Sequence, residues 1–385
     1  MMTSLPDTLF GIYIHWPYCA RICPYCDFNV YAAKDRDNSA LQAAILNDIR
    51  GHYRRVPQKT LTSIYFGGGT PSLCEPRFIA ELIDVCASLW PSDDRMEITL
   101  EVNPEDVTRD RLKAWRNAGI NRLSLGLQSL DDAALKFLGR QHTAEQGRLA
   151  TKLALQQFSN VSIDLIYARP GQSSEHWHEE LARVLELGVP HLSLYELTIK
   201  EKTAFAKQVE RAQFIPMDDD AQADLYLSTL DLCAGFGLPA YEVSNHAGHE
   251  HYQSRHNLTY WTSGDWLGIG PGAEGKINLD GQRTTTLAHR RVTDYIAAVE
   301  ETGLGWSEQI SLSRQEAADE KLIMGLRSTR GVSQPELETA YGTPLDGEQI
   351  ALFETQNWLI CRNDRLRLTR EGWLMADYIS ARLSP

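Results

Sequence analysis

Short apolar stretches recur through the first half of the chain, at residues 11–15, 63–66, 97–102, 122–127, 161–167 and 191–197. Between them the apolar positions change to helical spacing, over residues 41–56, 78–89, 109–117, 144–157 and 175–187. Strands alternating with helices predict right-handed βαβ crossovers and a parallel sheet. Six such units fall short of eight-fold closure, so the expected class is α/β, with a partial, TIM-like (β/α)6 barrel. The alternation fades near residue 200. Residues 246–275 are dense in His, Asn, Tyr, Trp and Gly and read as irregular or hairpin-rich. From Ser313 onward the pattern is helical, with a hairpin over 358–368 turning at Asn363-Asp364, then a helix over 369–383. Helices with a two-stranded wing suggest a small, mainly helical, winged-helix-like module. The expected divisions are 1–245, 246–312 (irregular segment and connector) and 313–385.

Polar residues sit at, or just past, the carboxyl ends of the predicted strands. They are a cysteine loop, Gly67-Gly68-Gly69-Thr70-Pro71, Glu101, Gln128 and Glu196, with Asp164 inside its run. Parallel α/β folds gather ligand sites at that edge. Each residue alone could be an ordinary strand-end polar group, and a lone glycine run is most often a tight turn. Three successive glycines also let a ligand approach the backbone closely.

Composition narrows the choices. The 385 residues are 43% apolar and 9% aromatic, enough for a large core plus a smaller one. The net charge of −13 argues against a broad nucleic-acid grip, including one through the winged-helix-like end. No stretch approaches the roughly 20 apolar residues of a membrane span. The segment Met1-Met2-Thr3-Ser4-Leu5-Pro6-Asp7 lacks a basic start and an apolar leader. The chain is read as cytoplasmic and reduced, which suits thiolate ligands better than disulfides.

Of seven cysteines, Cys74, Cys86, Cys233 and Cys361 are scattered and read as buried thiols, whereas Cys19, Cys23 and Cys26 form C-x3-C-x2-C after the first strand. Three thiolates on one loop can hold three irons of a cubane cluster and leave the fourth for another ligand. A zinc site, or thiols without a ligand role, stays open on the spacing alone.

Several segments together are specific. The cysteine loop with Tyr25 before Cys26, Gly67-Gly68-Gly69-Thr70-Pro71, and Glu101-x-Asn103-Pro104 resemble the radical S-adenosylmethionine (SAM) superfamily. Residues 124–129, 138–142 and 163–167 extend the resemblance to the branch containing oxygen-independent coproporphyrinogen oxidases and haem chaperones. The resemblance implies a radical SAM barrel core and a [4Fe–4S] cluster on Cys19, Cys23 and Cys26, with SAM on the open iron. It also implies a cosubstrate site lined by Tyr13, Tyr25, Gly68, Gly69, Thr70, Glu101, Gln128, Arg140 and Asp164. These side chains suit that ligand, since carboxylates and Gln accept from ammonium and hydroxyl groups, and Arg pairs with a carboxylate.

Two departures separate the branches. Phe28 stands where the oxidase pattern has a further cysteine, and only 18 residues precede Cys19. His256-Asn257-Leu258-Thr259-Tyr260 looks like the chaperones' haem-binding segment, and it implies haem as a ligand and acceptor haemoproteins, respiratory enzymes among them, as partners. His can ligate haem iron, as can Tyr, and i, i+4 spacing puts both on one side of either a helix or a strand. Nearby His246, His249 and His251 could also bind a metal but read as ordinary exposed or hydrogen-bonded side chains. Trp261 and Trp266 could form an apolar wall for a porphyrin but read first as core, and residues 268–273 as a turn near the active site rather than a nucleotide fingerprint. The first expectation is thus a haem carrier, and the alternative a porphyrinogen-oxidising radical enzyme. A homodimer and peripheral membrane contact are compatible with either.

Overall fold

The computed structural model describes residues 9–33 and 37–385. The leaderless start read from residues 1–7 lies outside that range. Eleven strands form one sheet. In chain order these are β1 (Phe10–Trp16), β2 (Leu61–Gly68), β3 (Ser92–Val102), β4 (Arg122–Gln128), β5 (Asn160–Tyr167), β6 (His191–Glu196), β7 (Asn245–Ala247), β8 (Asp265–Ile269), β9 (Glu274–Leu279), β10 (Gln282–Ala288) and β11 (Trp306–Ser311). Spatially they run β11-β10-β9-β8-β1-β2-β3-β4-β5-β6-β7. Strands β1 to β6 are parallel neighbours in sequence order, as the alternating pattern predicts for a partial barrel.

Each strand divides its residues by period two. In β1, Phe10, Ile12, Ile14 and Trp16 pack against α1 (Ser39–Tyr53) and α2 (Pro76–Leu89), through Leu41, Ile45, Phe78 and Ile79. The alternate residues Gly11, Tyr13 and His15 meet groups inside the barrel. The same split recurs in β2, where Ile64 and Phe66 join the outer core while Ser63 and Tyr65 turn inward. Helices α3 (Arg109–Asn117) and α4 (Ala144–Gln157) complete that face. A second core joins β5 and β6 to α5 (Ser174–Leu185) and α6 (Asp219–Gly235), with Trp177 at its centre.

The segment expected to be irregular holds more order than its composition suggested. Helix α7 (Arg255–Trp261) carries the His-Asn-x-x-Tyr sequence. Strand β8 then pairs parallel with β1, on the side away from β2. Five apolar-facing residues followed by a glycine turn are too short a run to announce a strand. A hairpin follows the segment expected to hold one, as β9–β10, turning at Asp280 and Gly281, both with positive φ. Helix α8 (Val292–Thr302) then leads to β11.

The C-terminal module holds α9 (Arg314–Leu326), β12 (Val332–Ser333), α10 (Gln334–Tyr341), α11 (Gly347–Thr355), and a wing of β13 (Leu359–Arg362) and β14 (Arg365–Leu368). Asn363 and Asp364 turn the wing, both left-handed. The single helix expected over 369–383 is broken at Met375 (φ −108°) into Arg370–Leu374 and α12 (Ala376–Leu383). Gly372 presses on the Trp358 carbonyl, where an added Cβ would lie 1.8 Å away. Cys74, Cys86 and Cys233 are buried as expected, but Cys361 is only half-buried because it lies on an edge strand of the small wing sheet.

Candidate functional site

The sequence after β1 turns directly into the cysteine loop, and β2 pairs with β1 in the register His15–Gly67 and Trp16–Gly68. Backbone pairing then continues past the strands. Gly69 N–H donates to the Trp16 carbonyl at 2.7 Å and Thr70 N–H to the Tyr18 carbonyl at 2.8 Å. Glycines are required here. Gly68 has φ 102°, and a Cβ on it would sit 2.5 Å from the His15 ring; one on Gly69 would lie 2.7 Å from the Tyr18 carbonyl. The glycine run and the cysteines are thereby stitched into one rim.

Cys19 is buried, whereas Cys23 and Cys26 are partly open. Burial pushes the Cys19 thiol up, against a hydrogen bond from Thr70 that favours the thiolate, and the Cys26 thiol is pushed up to about 11 by burial. The neighbouring thiols raise both further. Such thiols stay protonated until cations displace the protons, which is the behaviour of a metal-ligand set. Among the described residues, no three His, Cys, Asp or Glu side chains converge as ligands of a single ion would. Thiolates that each bind a different iron of a cubane need not converge.

Arg140 binds the loop to the sheet. Its guanidinium donates to Cys23 Sγ at 3.5 Å, Asn103 Oδ1 at 2.6 Å and the Gly126 carbonyl at 3.1 Å. Burial opposes its charge, but Tyr25 and Cys23 favour it and prevail. Tyr25 lies in the cysteine loop, edge-inclined to Phe205 at 6.4 Å, and burial raises its phenol. Gly139 (φ 71°) lets Pro24 pack close, since a Cβ there would be 2.7 Å from Pro24 Cδ.

Two carboxylates lie farther in. Glu101 Oε1 accepts from Tyr65 O–H at 2.9 Å, and burial raises its carboxyl to about 7, with Asp164 adding to the rise. Asp164 accepts twice from Ser124 Oγ, at 2.9 and 3.0 Å, and from Ser162 Oγ at 3.2 Å; burial raises it too. Gln128 ends β4 with φ 64°, beside Ser129, whose hydroxyl is held by Arg169 and Glu180. Its Oε1 is buried with no partner, as is Arg140 Nε. An orphaned acceptor, an orphaned donor and a backbone cradle bare of side chains fit a zwitterionic ligand beside three thiols. Tyr13, on β1, stacks on Tyr65 with centroids 6.2 Å apart and hydrogen-bonds His15 Nδ1 at 3.0 Å. The structure thus brings Tyr13, Tyr25, Gly68, Gly69, Thr70, Glu101, Gln128, Arg140 and Asp164 to one end and interior of the barrel, with Cys19, Cys23 and Cys26.

His256 and Tyr260 adjoin this set from below, the His256 ring 6.4 Å from that of Tyr13. Helix α7 closes the barrel toward the amino ends of the strands, where the backbone N–H groups of Arg255 and His256 donate to Glu97 at 3.1 Å each. Glu97 is paired in turn with buried Arg122 at 3.8 Å. His256 is 1% exposed. Its Nδ1 shares a 2.9 Å hydrogen bond with Ser63 Oγ, and its Nε2 one of 2.7 Å with Tyr260 O–H. Gly11 makes room for this ring, since a Cβ there would lie 3.0 Å from His256 Nδ1. Burial lowers the imidazole to about 3, so the ring is neutral. As an axial ligand to haem, the role expected from the motif, His256 has no nitrogen free in this conformation. Tyr260 borders a cavity of about 380 Å³ with Tyr13, His15, Phe28 and Trp266. Of the other histidines, His246 is buried and lowered to about 4 by burial, whereas His249 and His251 are exposed. The turn at residues 268–273 lies against the cysteine loop's exit, with Asn29 Nδ2 donating to the Pro271 carbonyl at 2.9 Å.

Sequence reasoning gave no site role to Ser63, Tyr65, Glu97, Arg122 and Ser124, nor to Asn103, which it quoted only within a motif. A signal existed, because five of them occupy the inward positions of strands whose other positions are apolar.

Comparison with known proteins agrees with this architecture. The radical SAM superfamily model matches residues 13–184, and the HemN C-terminal domain model matches residues 312–375. Fold and rim therefore define a radical SAM protein with a HemN-type C-terminal domain. Heme chaperone HemW of Haemophilus influenzae is 34% identical over 98% of this chain and 97% of its own length. Heme chaperone HemW of Escherichia coli is 39% identical, covering 75% of this chain and 76% of its own. The mitochondrial radical S-adenosyl methionine domain-containing protein 1 of Mus musculus is 34% identical over 98% of this chain and 88% of its own. The chain belongs to this HemW family of radical SAM proteins. The solved structure of Escherichia coli coproporphyrinogen III oxidase (HemN), a radical SAM enzyme, superposes with TM-score 0.81 over 99% of this chain and 91% of that one, and at 21% identity it shows the shared fold. Radical SAM membership implies a [4Fe–4S] cluster and SAM. No helix among the described residues is long and apolar enough to cross a membrane.

Proposed function

We propose that this protein is a haem chaperone on a radical SAM scaffold, binding haem and passing it to acceptor haemoproteins. The observation that carries this reading is full-length similarity, at 34% identity over 98% of the chain, to a protein named heme chaperone HemW. Phe28, 61% exposed where the oxidase pattern has a cysteine, supports it over the oxidase alternative.

Cys19, Cys23 and Cys26 hold the [4Fe–4S] cluster on this reading, and SAM lies on the rim. When bound, the cluster supplies a single electron to the SAM sulfonium. The chain's own part is orientation. Arg140 pairs with the cosubstrate carboxylate while steadying Cys23. Backbone groups of Gly68 and Gly69, with Thr70, take its amino end. Gln128, Glu101 and Asp164 accept from its ammonium and hydroxyl groups, and Tyr13 and Tyr25 wall it from water. His256 and Tyr260 seal the barrel below. Respiratory haem enzymes are the proposed acceptors, and the protein acts without nucleic acid. Seven free thiols suit the reducing cytoplasm.

The test is anaerobic reconstitution with iron and sulfide, hemin titration followed by the Soret band, then mixing with an apo-haemoprotein. Stoichiometric binding and transfer are expected. Absence of haem binding, or conversion of coproporphyrinogen III to protoporphyrinogen with SAM and a reductant, would overturn the reading.

A further inference from the structure

Strands β4 and β5 leave the barrel at its carboxyl edge in the same unusual way. At the end of each stands a left-handed residue that is not glycine, Gln128 with φ 64° and Ala168 with φ 55°. Ser129 N–H donates to the Leu127 carbonyl at 2.8 Å, so the chain turns over Gln128 alone, in a tight turn of a rare and strained kind. Such backbone persists only where its surroundings fix it. The residues that follow the two turns, Ser129 and Arg169, meet each other, with Arg169 Nη1 donating to Ser129 Oγ at 2.7 Å.

Glu180 of α5 holds both. Its carboxylate accepts from Ser129 O–H, from Leu130 N–H at 2.7 Å and from Arg169 Nη2. Ser129, Arg169 and Glu180 are all buried. Glu180 shares the core face of its helix with Trp177, Leu181 and Val184, where an apolar residue would pack without the desolvation of an ion pair. A buried ion pair is weak evidence for stability, so its placement here needs another cause. The cause lies in what the carboxylate grips. It takes the hydroxyl of the first residue after Gln128 and the backbone N–H of the second, which pins the turn from the outside.

The turn decides where Gln128 points. Its amide nitrogen lies over Gly126, 3.1 Å from where a Cβ would stand, and Arg140 Nη2 is 3.7 Å from the same point. Its Oε1 is buried and has no partner among the described residues. We infer that Ser129, Arg169 and Glu180 are positioning residues for SAM, holding the strained turn that presents Gln128 to the cosubstrate and acting only through Gln128. The inference rests on Gln128's place in the proposed SAM site. With an extended backbone at 128 the side chain would leave Gly126 and Arg140, because the direction of Cβ follows the local backbone.

The test uses the full-length, cluster-reconstituted protein with SAM as the probe, and follows binding by calorimetric titration. Gln128→Ala is expected to weaken SAM about tenfold or more, the loss of one hydrogen bond to a charged group. Arg169→Met/Glu180→Leu removes both charges together, so that neither is left buried alone. It is expected to weaken SAM to a similar degree, with iron content and cluster absorbance unchanged. The two changes are expected not to add. In the Gln128→Ala background the Arg169/Glu180 change alters SAM affinity by less than about twofold. A network that only held the fold together would lower the urea midpoint and act alike in both backgrounds. If the double variant does not fold, Ser129→Ala, which leaves the ion pair in place, takes its part in the same cycle. Parent-like SAM affinity in the folded variant, or an equal loss with and without Gln128, would overturn the positioning role and leave the SAM site intact. Parent-like affinity in Gln128→Ala would instead remove Gln128 from that site, and the inference with it.

Discussion

The imidazole of His256 stacks on the ring of Tyr65, with centroids 4.9 Å apart and planes inclined by 24°. Tyr65 in turn donates to Glu101 inside the barrel. The helix that seals the barrel is therefore in contact, through one aromatic side chain, with the carboxylate assigned to the cosubstrate.

Removing that contact has two measurable effects. His256→Ala deletes two buried hydrogen bonds and a stacked ring, and is expected to cost about 3 kcal/mol of stability. It also frees Tyr65 and so weakens SAM binding. Urea denaturation and calorimetric titration with SAM measure the two effects, and an unchanged denaturation midpoint would refute the first.

Glu101 gives the site a pH dependence. Its carboxyl is raised by burial from 4.5 to about 7, while the Tyr65 hydroxyl pulls it down. A folded-state value above the unfolded one means stability from this group is complete below 4.5 and is lost as pH rises through about 7. SAM affinity runs the other way, because the ionised carboxylate is the better acceptor, so it strengthens as pH rises through the same range. Tyr65→Phe removes the opposing hydrogen bond and moves the midpoint of SAM binding upward. A titration series across neutral pH that gives the same midpoint for both proteins would count against this arrangement.

Alanine at Cys19, Cys23 or Cys26 is expected to abolish stable iron loading, whereas Cys361→Ala keeps it. Iron content and visible absorbance after anaerobic reconstitution distinguish these outcomes. Full iron loading in any of the three variants would remove that cysteine from the ligand set.

The glycine rim makes a graded prediction. Gly68→Ala places a methyl against the His15 ring at a φ of 102° and is expected to cost about 3 kcal/mol. Gly171 has φ 72° with nothing within 4 Å of an added Cβ, so Gly171→Ala is expected to cost only about 1 kcal/mol. Equal denaturation midpoints for the two variants would show that contact with His15 contributes nothing.

The strands of the barrel were readable because their outward residues must be apolar to meet helices. The inward residues were harder to read. Ser63, Tyr65, Glu97 and Ser124 alternate with apolar neighbours, but the same alternation describes a strand with one face in water. Only the wrapping of the sheet turns that face inside. The cysteines and the glycine run were readable because their chemistry is local. The placement of His256 was not, since its burial depends on Ser63 and Glu97, far earlier in the chain. Strand β8 escaped notice because its pairing partner, β1, is equally remote.

Gly11 lies at the floor of the barrel, in van der Waals reach of His256 and Ser63. An alanine there would collide with the Ser63 hydroxyl, 2.8 Å from its Cβ, and with the imidazole at 3.0 Å. The three positions are consequently not free to drift apart in evolution: glycine at 11 is expected wherever serine occupies 63 and histidine occupies 256.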